Sequence, residues 1–472
     1  TCCRPRTSIG MFRASVSLAA FAANVLLRPP GARSVESLSF AKQMHDNGRS
    51  SRGPGAYRRL GPAQRARGRA AMTLFRGWVV VAAVFAALAI IFGVAYSFSA
   101  FFSSFQREFS AARGDVSSVF ALCGLIYFTL GAVTGSVADR IGPRPLVLAG
   151  FVILAAGLFA ASRASSLPAL YVTYSIGVGL GVGCVYVPAV ASVQPWFIRR
   201  RALASGLAAS GIGVGTLVVP LLVVWIIEAS GWRRAFEWMA AGSLALGLVA
   251  GLLIDNAPSR HGLYPDGAAH DPLAGAPKQV PRGIGLREAA RTRAFWLLYA
   301  AMTLFSIGLF IPFVHLAPYA RDAGHSPQTG VMLIGLVGAG SVIGRFGLAG
   351  LGDRFERPAL LAVVYAGTAA MLVLWMASTG VVALAVFALA FGTFYGTFVA
   401  LHPPLAMDFF GGRSVAGIIG CLYTGAGIGN LIGPTLAGFA YDLSGSYSLP
   451  IGASSVLMLG SLVHLATGWL LA

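Results

Sequence analysis

The sequence predicts an all-α membrane protein with twelve transmembrane helices in two pseudo-symmetric six-helix bundles. Hydrophobic residues make up 56% of the 472 residues and charged residues only 11%, a balance that soluble domains do not show. Apolar runs of 18 or more residues recur along the chain, and each is long enough to cross a bilayer. Motifs of the first half also recur in the second half at a constant spacing.

The apolar runs place the individual helices. A basic leader at 1–71 precedes a first unit at 72–255, and a linker at 256–293 joins it to a second unit at 294–472. We expect the leader to be a disordered tail, a targeting segment or sequence upstream of a native start at Met72, and we favour the last. The expected spans are 77–101, 116–138, 145–162, 168–193, 203–228 and 235–255, then 294–317, 329–350, 358–378, 381–402, 415–440 and 449–471.

The internal repeat has a fixed spacing of 214 residues. Asp139 and Arg140 recur as Asp353 and Arg354. A glycine and proline pattern in the fifth span recurs in the eleventh: Gly206, Gly211, Gly213, Gly215 and Pro220 correspond to Gly420, Gly425, Gly427, Gly429 and Pro434. Two related six-helix halves are typical of secondary transporters, whose substrate site lies between the halves near the middle of the membrane.

The positive charge follows the predicted topology. The formal net charge is +19, but the leader holds much of it and the remainder lies mainly in alternate loops. This distribution indicates cytoplasmic loops and excludes a basic nucleic-acid-binding face. Both termini are therefore expected in the cytoplasm, with the protein in the cell (inner) membrane. The spans contain no nucleotide loop, metal-ligand cluster or nucleophile constellation, so we expect no enzyme, cofactor or metal.

Arg345 is the main candidate binding residue. Every other lysine or arginine lies in the leader, in a loop or at a helix end. An ionised side chain inside a span costs about 2.5–3.5 kcal/mol on insertion scales and usually faces a cavity or a partner. The alternative is that Arg345 extends its head group to the cytoplasmic surface.

The loop between the second and third spans carries a recognisable motif. The segment Gly135-Ser-Val-Ala-Asp-Arg-Ile-Gly-Pro-Arg-Pro145 resembles the signature G-x-x-x-D-R-x-G-R-K/R of the major facilitator superfamily, with Pro143 in place of one basic residue. A weaker copy follows the eighth span. The resemblance implies a gating latch that closes the cytoplasmic side; its candidate residues are Asp139, Arg140, Arg144, Asp353 and Arg354. A plain topogenic charge cluster is the alternative.

Within that superfamily, the chain resembles the monocarboxylate transporters and the bacterial oxalate/formate antiporters over 76–255 and 294–471. The strings that carry the resemblance are Arg76-Gly-Trp-Val-Val80, Trp196-Phe-Ile-Arg-Arg-Arg-Ala-Leu-Ala-Ser-Gly-Leu-Ala208 and Pro312-Phe-Val-His-Leu-Ala-Pro-Tyr-Ala320. The resemblance implies the major facilitator fold. It also implies that Arg345 occupies the position of an arginine that pairs with the substrate carboxylate.

Two departures from the family concern the same site. Tyr96 stands where animal monocarboxylate carriers have a lysine, and Ser341 stands where they have an aspartate. Tyr96 and Ser341 are therefore candidate substrate contacts, together with Tyr395 and His315. Core packing is the alternative for the tyrosines. For His315, a structural or gating role is favoured over binding.

The function expected from these features is secondary transport of a small, monocarboxylate-like organic anion, coupled to protons or to exchange. Partners are that anion, the lipid bilayer and, where coupling requires them, protons; nucleic acid is not expected, and the protein is expected to work as a monomer. One alternative is an exporter of drug-like or other small solutes. An alternative of another class is a membrane sensor that binds without transporting.

Overall fold

The computed structural model describes residues 75–198, 200–255, 257–268, 283–347, 356–411 and 415–470. The leader at 1–71 lies outside these residues. Ten of the described helices are long and apolar enough to cross a membrane. One of them is divided in two, and Val415–Ser444 adds a further helix. The described residues thus form twelve spans, which confirms the predicted fold class.

The helices fall into two sets of six. The N-terminal half contains α1 (Arg76–Phe109), α2 (Arg113–Ile141), α3 (Pro143–Ser162), α4 (Leu167–Trp196), and α5 and α6 (201–230 and 232–253). The C-terminal half contains α7 (Arg293–Asp322), α8 (Pro327–Phe346), α9 (Arg357–Met376), α10 (Val381–Phe410), α11 (Val415–Ser444) and α12 (Ser448–Leu470).

Gly231 separates α5 from α6. Its φ of 83° lies in the left-handed region, which glycine enters without the steric cost that a Cβ imposes. The linker ends in the short helix Leu286–Ala289, close to the surface helix that the sequence predicts there.

Two helices differ from the predicted spans because each has a break. The predicted 77–101 is observed as Arg76–Tyr96 and Phe98–Phe109, divided at Ser97. The predicted 294–317 is observed as Arg293–Leu309 and Ile311–Asp322, divided at Phe310. Hydropathy does not reveal a change in helix direction, so the sequence shows neither break. The breaks lie within one residue of corresponding positions in the repeat.

Two helix pairs join the halves: α5 packs on α8, and α2 packs on α11. A Cβ built on Gly213 would lie 2.6 Å from the carbonyl oxygen of Gly338, and the reverse distance is the same. On the other seam, a Cβ on Gly427 would lie 3.1 Å from Cβ of Phe128. Small residues thus bring the helices of the two halves into backbone contact.

Candidate functional site

Arg345 lies in the last turn of α8 and is buried, with 4% of its surface exposed. Glycines place it there. A Cβ on Gly344 would overlap the carbonyl of Thr393 in α10, and a Cβ on Gly396 would overlap the carbonyl of Ser341. Because these glycines let α8 and α10 touch along their backbones, Arg345 comes beside Tyr395. Its guanidinium carbon is 5.9 Å from the centre of the Tyr395 ring.

No described residue forms a hydrogen bond with the Arg345 guanidinium. All three of its nitrogens are buried without a hydrogen-bond partner in the described structure. Four tyrosines lie within electrostatic range of it, two from each half: Tyr96, Tyr186, Tyr395 and Tyr423. A buried cation that lacks a partner is costly, so this arrangement is suited to receiving an anion.

Tyr96 and Tyr395 meet across the two halves. Their hydroxyl oxygens are 2.8 Å apart, and both side chains are buried. Tyr96 also stacks on Phe313 of α7, with ring centroids 4.3 Å apart. Tyr96 is the last residue of the first segment of α1, so the break at Ser97 follows it directly. Broken helices commonly line transporter sites because their chain ends supply polar groups at mid-membrane.

Ser341 lies one turn before Arg345 on α8. It is 1% exposed, and its hydroxyl has no hydrogen-bond partner among the described residues. The structure therefore brings four of the five sequence-predicted binding residues to one region: Arg345, Ser341, Tyr96 and Tyr395.

His315 has a different environment. Its Nε2–H donates to the carbonyl oxygen of Pro434 at 2.9 Å, so in the neutral ring Nδ1 accepts from the Tyr447 hydroxyl at 3.0 Å. Tyr447 in turn accepts from Arg113 Nη1 at 2.9 Å. Both ring nitrogens of His315 are thus occupied by protein groups. The residue belongs to a polar network between the halves.

That network lies on the distal side, defined as the side of the membrane opposite the start of α1. Arg113 donates two hydrogen bonds to Asp322, at 2.7 and 2.8 Å. The backbone N–H groups of Arg113 and Gly114 donate to the carboxylate of Asp442, at 3.0 and 2.8 Å. We call Arg113, Asp322, Asp442, Tyr447 and His315 the distal clamp. It joins the start of α2 to α7, α11 and the loop before α12.

A second distal contact mirrors the clamp. Gln328, at the start of α8, donates to Glu228 at the end of α5. Glu228 and Asp442 are 214 residues apart, so each half presents a carboxylate to the first turn of the facing helix. The sequence carried this signal in the recurrence of an acidic residue, but the clamp was not predicted.

The predicted gating residues lie on the opposite, proximal side. Arg144 donates to the carbonyl of Ile254 at 2.9 Å and pairs with Asp255 at 3.5 Å. Asp255 is 6% exposed and also pairs with Arg76 at 3.2 Å. Arg140 is exposed at the end of α2. The backbone of Asp139 lies in α2, whereas Asp353 and Arg354 lie outside the described residues. Asp255 was not singled out from the sequence.

A cavity adjoins the arginine between the halves, with about 380 Å³ of empty space. Seven of its ten lining side chains are aromatic, and none of the ten is charged. Tyr186, Tyr395 and Tyr423 line it and also lie within electrostatic range of Arg345. Tyr186 and Tyr423 were not singled out from the sequence, because neither belongs to a motif or to the repeat.

Comparison with known proteins identifies the class. The family model of the Major Facilitator Superfamily matches residues 83–413. The chain therefore belongs to the major facilitator superfamily, a family of transporters. A solved structure of a bacterial homologue of the human lysosomal transporter Spinster, described as inward-facing and unoccupied, has the same fold. Its TM-score is 0.57 at 16% identity, and the match covers 84% of this chain and 96% of that one.

The individual relatives point to one branch. Monocarboxylate transporter 13 of Bos taurus is 30% identical, over 82% of this chain and 88% of the relative. Monocarboxylate transporter 3 of Rattus norvegicus is also 30% identical, over 83% and 80%. Monocarboxylate transporter 11 of Homo sapiens is 29% identical, over 82% and 80%. The resemblance to monocarboxylate transporters that the sequence motifs indicate is thereby confirmed.

Proposed function

We propose that this transporter moves a small, monocarboxylate-like organic anion across the cell membrane by alternating access. The observation that carries the proposal is the buried Arg345 guanidinium, whose nitrogens have no hydrogen-bond partner in the described structure. A carboxylate offers two oxygens in the plane that a guanidinium fork requires. The similarity to transporters named for monocarboxylates supports the same substrate class.

The tyrosine hydroxyls give the second part of the binding chemistry. A hydroxyl can donate one hydrogen bond and accept others, so Tyr96 and Tyr395 can turn from each other toward an anion. Ser341 supplies a further free hydroxyl on the same helix as Arg345. These groups come from both halves, so a bound anion makes contacts that depend on how the halves are arranged.

The alternating access follows from the contacts between the halves. Within the described residues, the ion pair between the halves belongs to the distal clamp, Arg113 to Asp322. We infer that the distal side is closed in this state and that the proximal side is the cytoplasmic one, by the positive-inside rule. The units 72–255 and 294–472 rock about the anion, while the linker 256–293 joins them. The groups around Asp139 and Asp353 latch the cytoplasmic side in the opposite state.

The test is uptake of labelled carboxylates into proteoliposomes, measured for the wild type, Arg345→Gln and Arg345→Lys. Hydrogen bonds to a charged group are worth about 1.5–3 kcal/mol, so Arg345→Gln should weaken binding about tenfold to a hundredfold. Arg345→Lys keeps the charge but loses the planar fork, and should retain only part of the affinity. Uptake under two opposite pH gradients distinguishes proton coupling from exchange.

Arg287→Gln is the matched control, because Arg287 is exposed on the short helix before α7. It should transport like the wild type. Normal carboxylate uptake by a well-expressed Arg345→Gln protein would contradict the proposal and favour a surface-directed arginine.

A further inference from the structure

The aromatic wall beside Arg345 carries information about the remainder of the substrate. The lining side chains come from both halves and comprise Phe92, Phe128, Tyr186 and Ile212 from the first half, and Phe310, Tyr395, Phe398, Val399, Tyr423 and Ala426 from the second. A site for a very small acid would need polar groups around the whole ligand. Here the polar groups gather at the arginine, and the remaining wall is almost entirely rings and aliphatic carbon.

The rings are arranged edge to face rather than in stacks. Phe128 of α2 lies across the cavity from Phe310 and Tyr423, with centroid distances of 5.7 and 6.2 Å and interplanar angles of 57° and 61°. Phe92 meets Tyr186 at 5.1 Å and 87°. Aromatic rings prefer offset or edge-to-face contacts at these distances. A planar aromatic group that enters between the halves would therefore find both faces and edges to pack against.

The charges limit the substrate to one carboxylate. None of the ten lining residues is a lysine, arginine, aspartate or glutamate, and Arg345 is the cation that adjoins them. A dicarboxylate would leave its second charge against the apolar wall, which is strongly unfavourable. A short acid such as pyruvate would satisfy Arg345 but would leave the aromatic surface uncovered.

We propose that the transported anion is a monocarboxylate that carries an aromatic ring. Its carboxylate pairs with Arg345, and its ring lies among Phe128, Tyr186 and Tyr423. This inference rests on the proposed function, because it assumes that Arg345 receives a carboxylate. It adds that the tail of the substrate is large, apolar and planar.

The experiment compares two acids with the same head group. Proteoliposomes containing the full chain are given labelled pyruvate or labelled phenylpyruvate, with protein-free liposomes as the blank. Burial of the ring should make the half-saturating concentration of phenylpyruvate at least about tenfold lower than that of pyruvate. A second pair, 3-phenylpropanoate and 3-cyclohexylpropanoate, competes with phenylpyruvate uptake; the phenyl compound should compete several-fold better.

Variants locate the ring. Phe128→Leu keeps an apolar side chain but removes the aromatic edge, and should lower the pyruvate-to-phenylpyruvate ratio of half-saturating concentrations several-fold. Phe398→Leu, on α10, provides a second reading if Phe128→Leu does not fold. Trp225→Leu is the control, since Trp225 is 70% exposed on the outer face of α5 and should leave the ratio unchanged.

The outcomes separate the two proposals. Uptake of neither acid, or uptake that does not depend on Arg345, overturns the proposed function itself. Pyruvate uptake with equal or lower half-saturation than phenylpyruvate leaves the anion transporter intact but overturns the aromatic substrate. Equal competition by the cyclohexyl compound shows that the tail is apolar without being aromatic, and overturns this inference as well. An unchanged ratio in both ring variants excludes the aromatic wall as the binding surface.

Discussion

At a spacing of 214 residues, Ser341 and Arg345 of the C-terminal half correspond to Tyr127 and Gly131 of the N-terminal half. Tyr127 is fully buried, with no hydrogen-bond partner for its hydroxyl among the described residues. The duplicated helices α2 and α8 thus occupy equivalent places, but only α8 carries a charge there. The repeat provides a frame that can rock, whereas the departure from the repeat provides the binding chemistry.

The two seams between the halves show a similar difference. At the α5–α8 seam, Gly338 lies against the backbone of Gly213 and Leu217. The corresponding glycine at the α2–α11 seam, Gly124, lies against the side chain of Asn430, whose amide donates to the carbonyl of Ala121 at 3.0 Å. One seam is a contact of backbones, and the other is a hydrogen-bonded contact that a side chain can adjust.

The largest effect is expected from Gly338→Ala. Its Cβ would lie 2.6 Å from the Gly213 oxygen and 2.7 Å from the Leu217 nitrogen, and a backbone cannot yield as a side chain can. Overpacking of this kind costs about 1–3 kcal/mol, so we expect a fall in uptake rate of about tenfold and a lower thermal midpoint. The measurement is initial uptake together with thermal unfolding in detergent.

Gly124→Ala sharpens this comparison, because it meets the movable Asn430 amide and should cost less than Gly338→Ala. Gly206→Ala on α5 is the control, since its nearest contact would be an ordinary 3.7 Å. If all three variants transport equally well, the close backbone seam has no role in the motion.

A smaller effect is expected from Arg113→Gln in the distal clamp. The Arg113–Asp322 pair is partly exposed, with 14% and 36% of the side chains accessible. Such pairs contribute about 1 kcal/mol or less, so the distal side should open about fivefold more often. The readout is labelling of Ser99→Cys by a membrane-impermeant thiol reagent, in a background with the native cysteines replaced by serine.

Arg163→Gln is the control for the clamp. Its pair with Glu237 lies within the N-terminal half, with 65% of the arginine exposed, and labelling should not change. Labelling of the Arg113→Gln protein at the wild-type rate would show that the clamp does not hold the distal side closed.

The smallest effect is expected from Asp139→Asn in the predicted proximal latch. This change should slow turnover a few-fold while leaving the half-saturating concentration almost unchanged, because it alters the balance of access states and not the site. Steady-state uptake over a range of substrate concentrations measures both quantities. A large loss of affinity at unchanged turnover would instead place Asp139 at the binding site.

Much of the frame could be predicted from the sequence. The twelve spans follow from apolar runs, and Gly392 and Gly396 beside Tyr395 already indicated a close helix contact. The breaks at Ser97 and Phe310 could not be predicted, because both flanking segments are apolar and hydropathy is blind to helix direction. His315 illustrates the same limit: its sequence allows binding, gating or support, and only its neighbours show that Tyr447 and Pro434 occupy both ring nitrogens.

The sequence by itself determined the membrane class, the duplication and the presence of an arginine inside a span. These properties depend on hydropathy and spacing along the chain, which are local. The tertiary structure alone decided which groups surround that arginine and which close the distal side. Tyr186 and Tyr423 reach Arg345, and Arg113 reaches Asp322 across 209 residues, because of how each helix is rotated about its axis. That rotation is set by the packing of all twelve helices together, and no single segment encodes it.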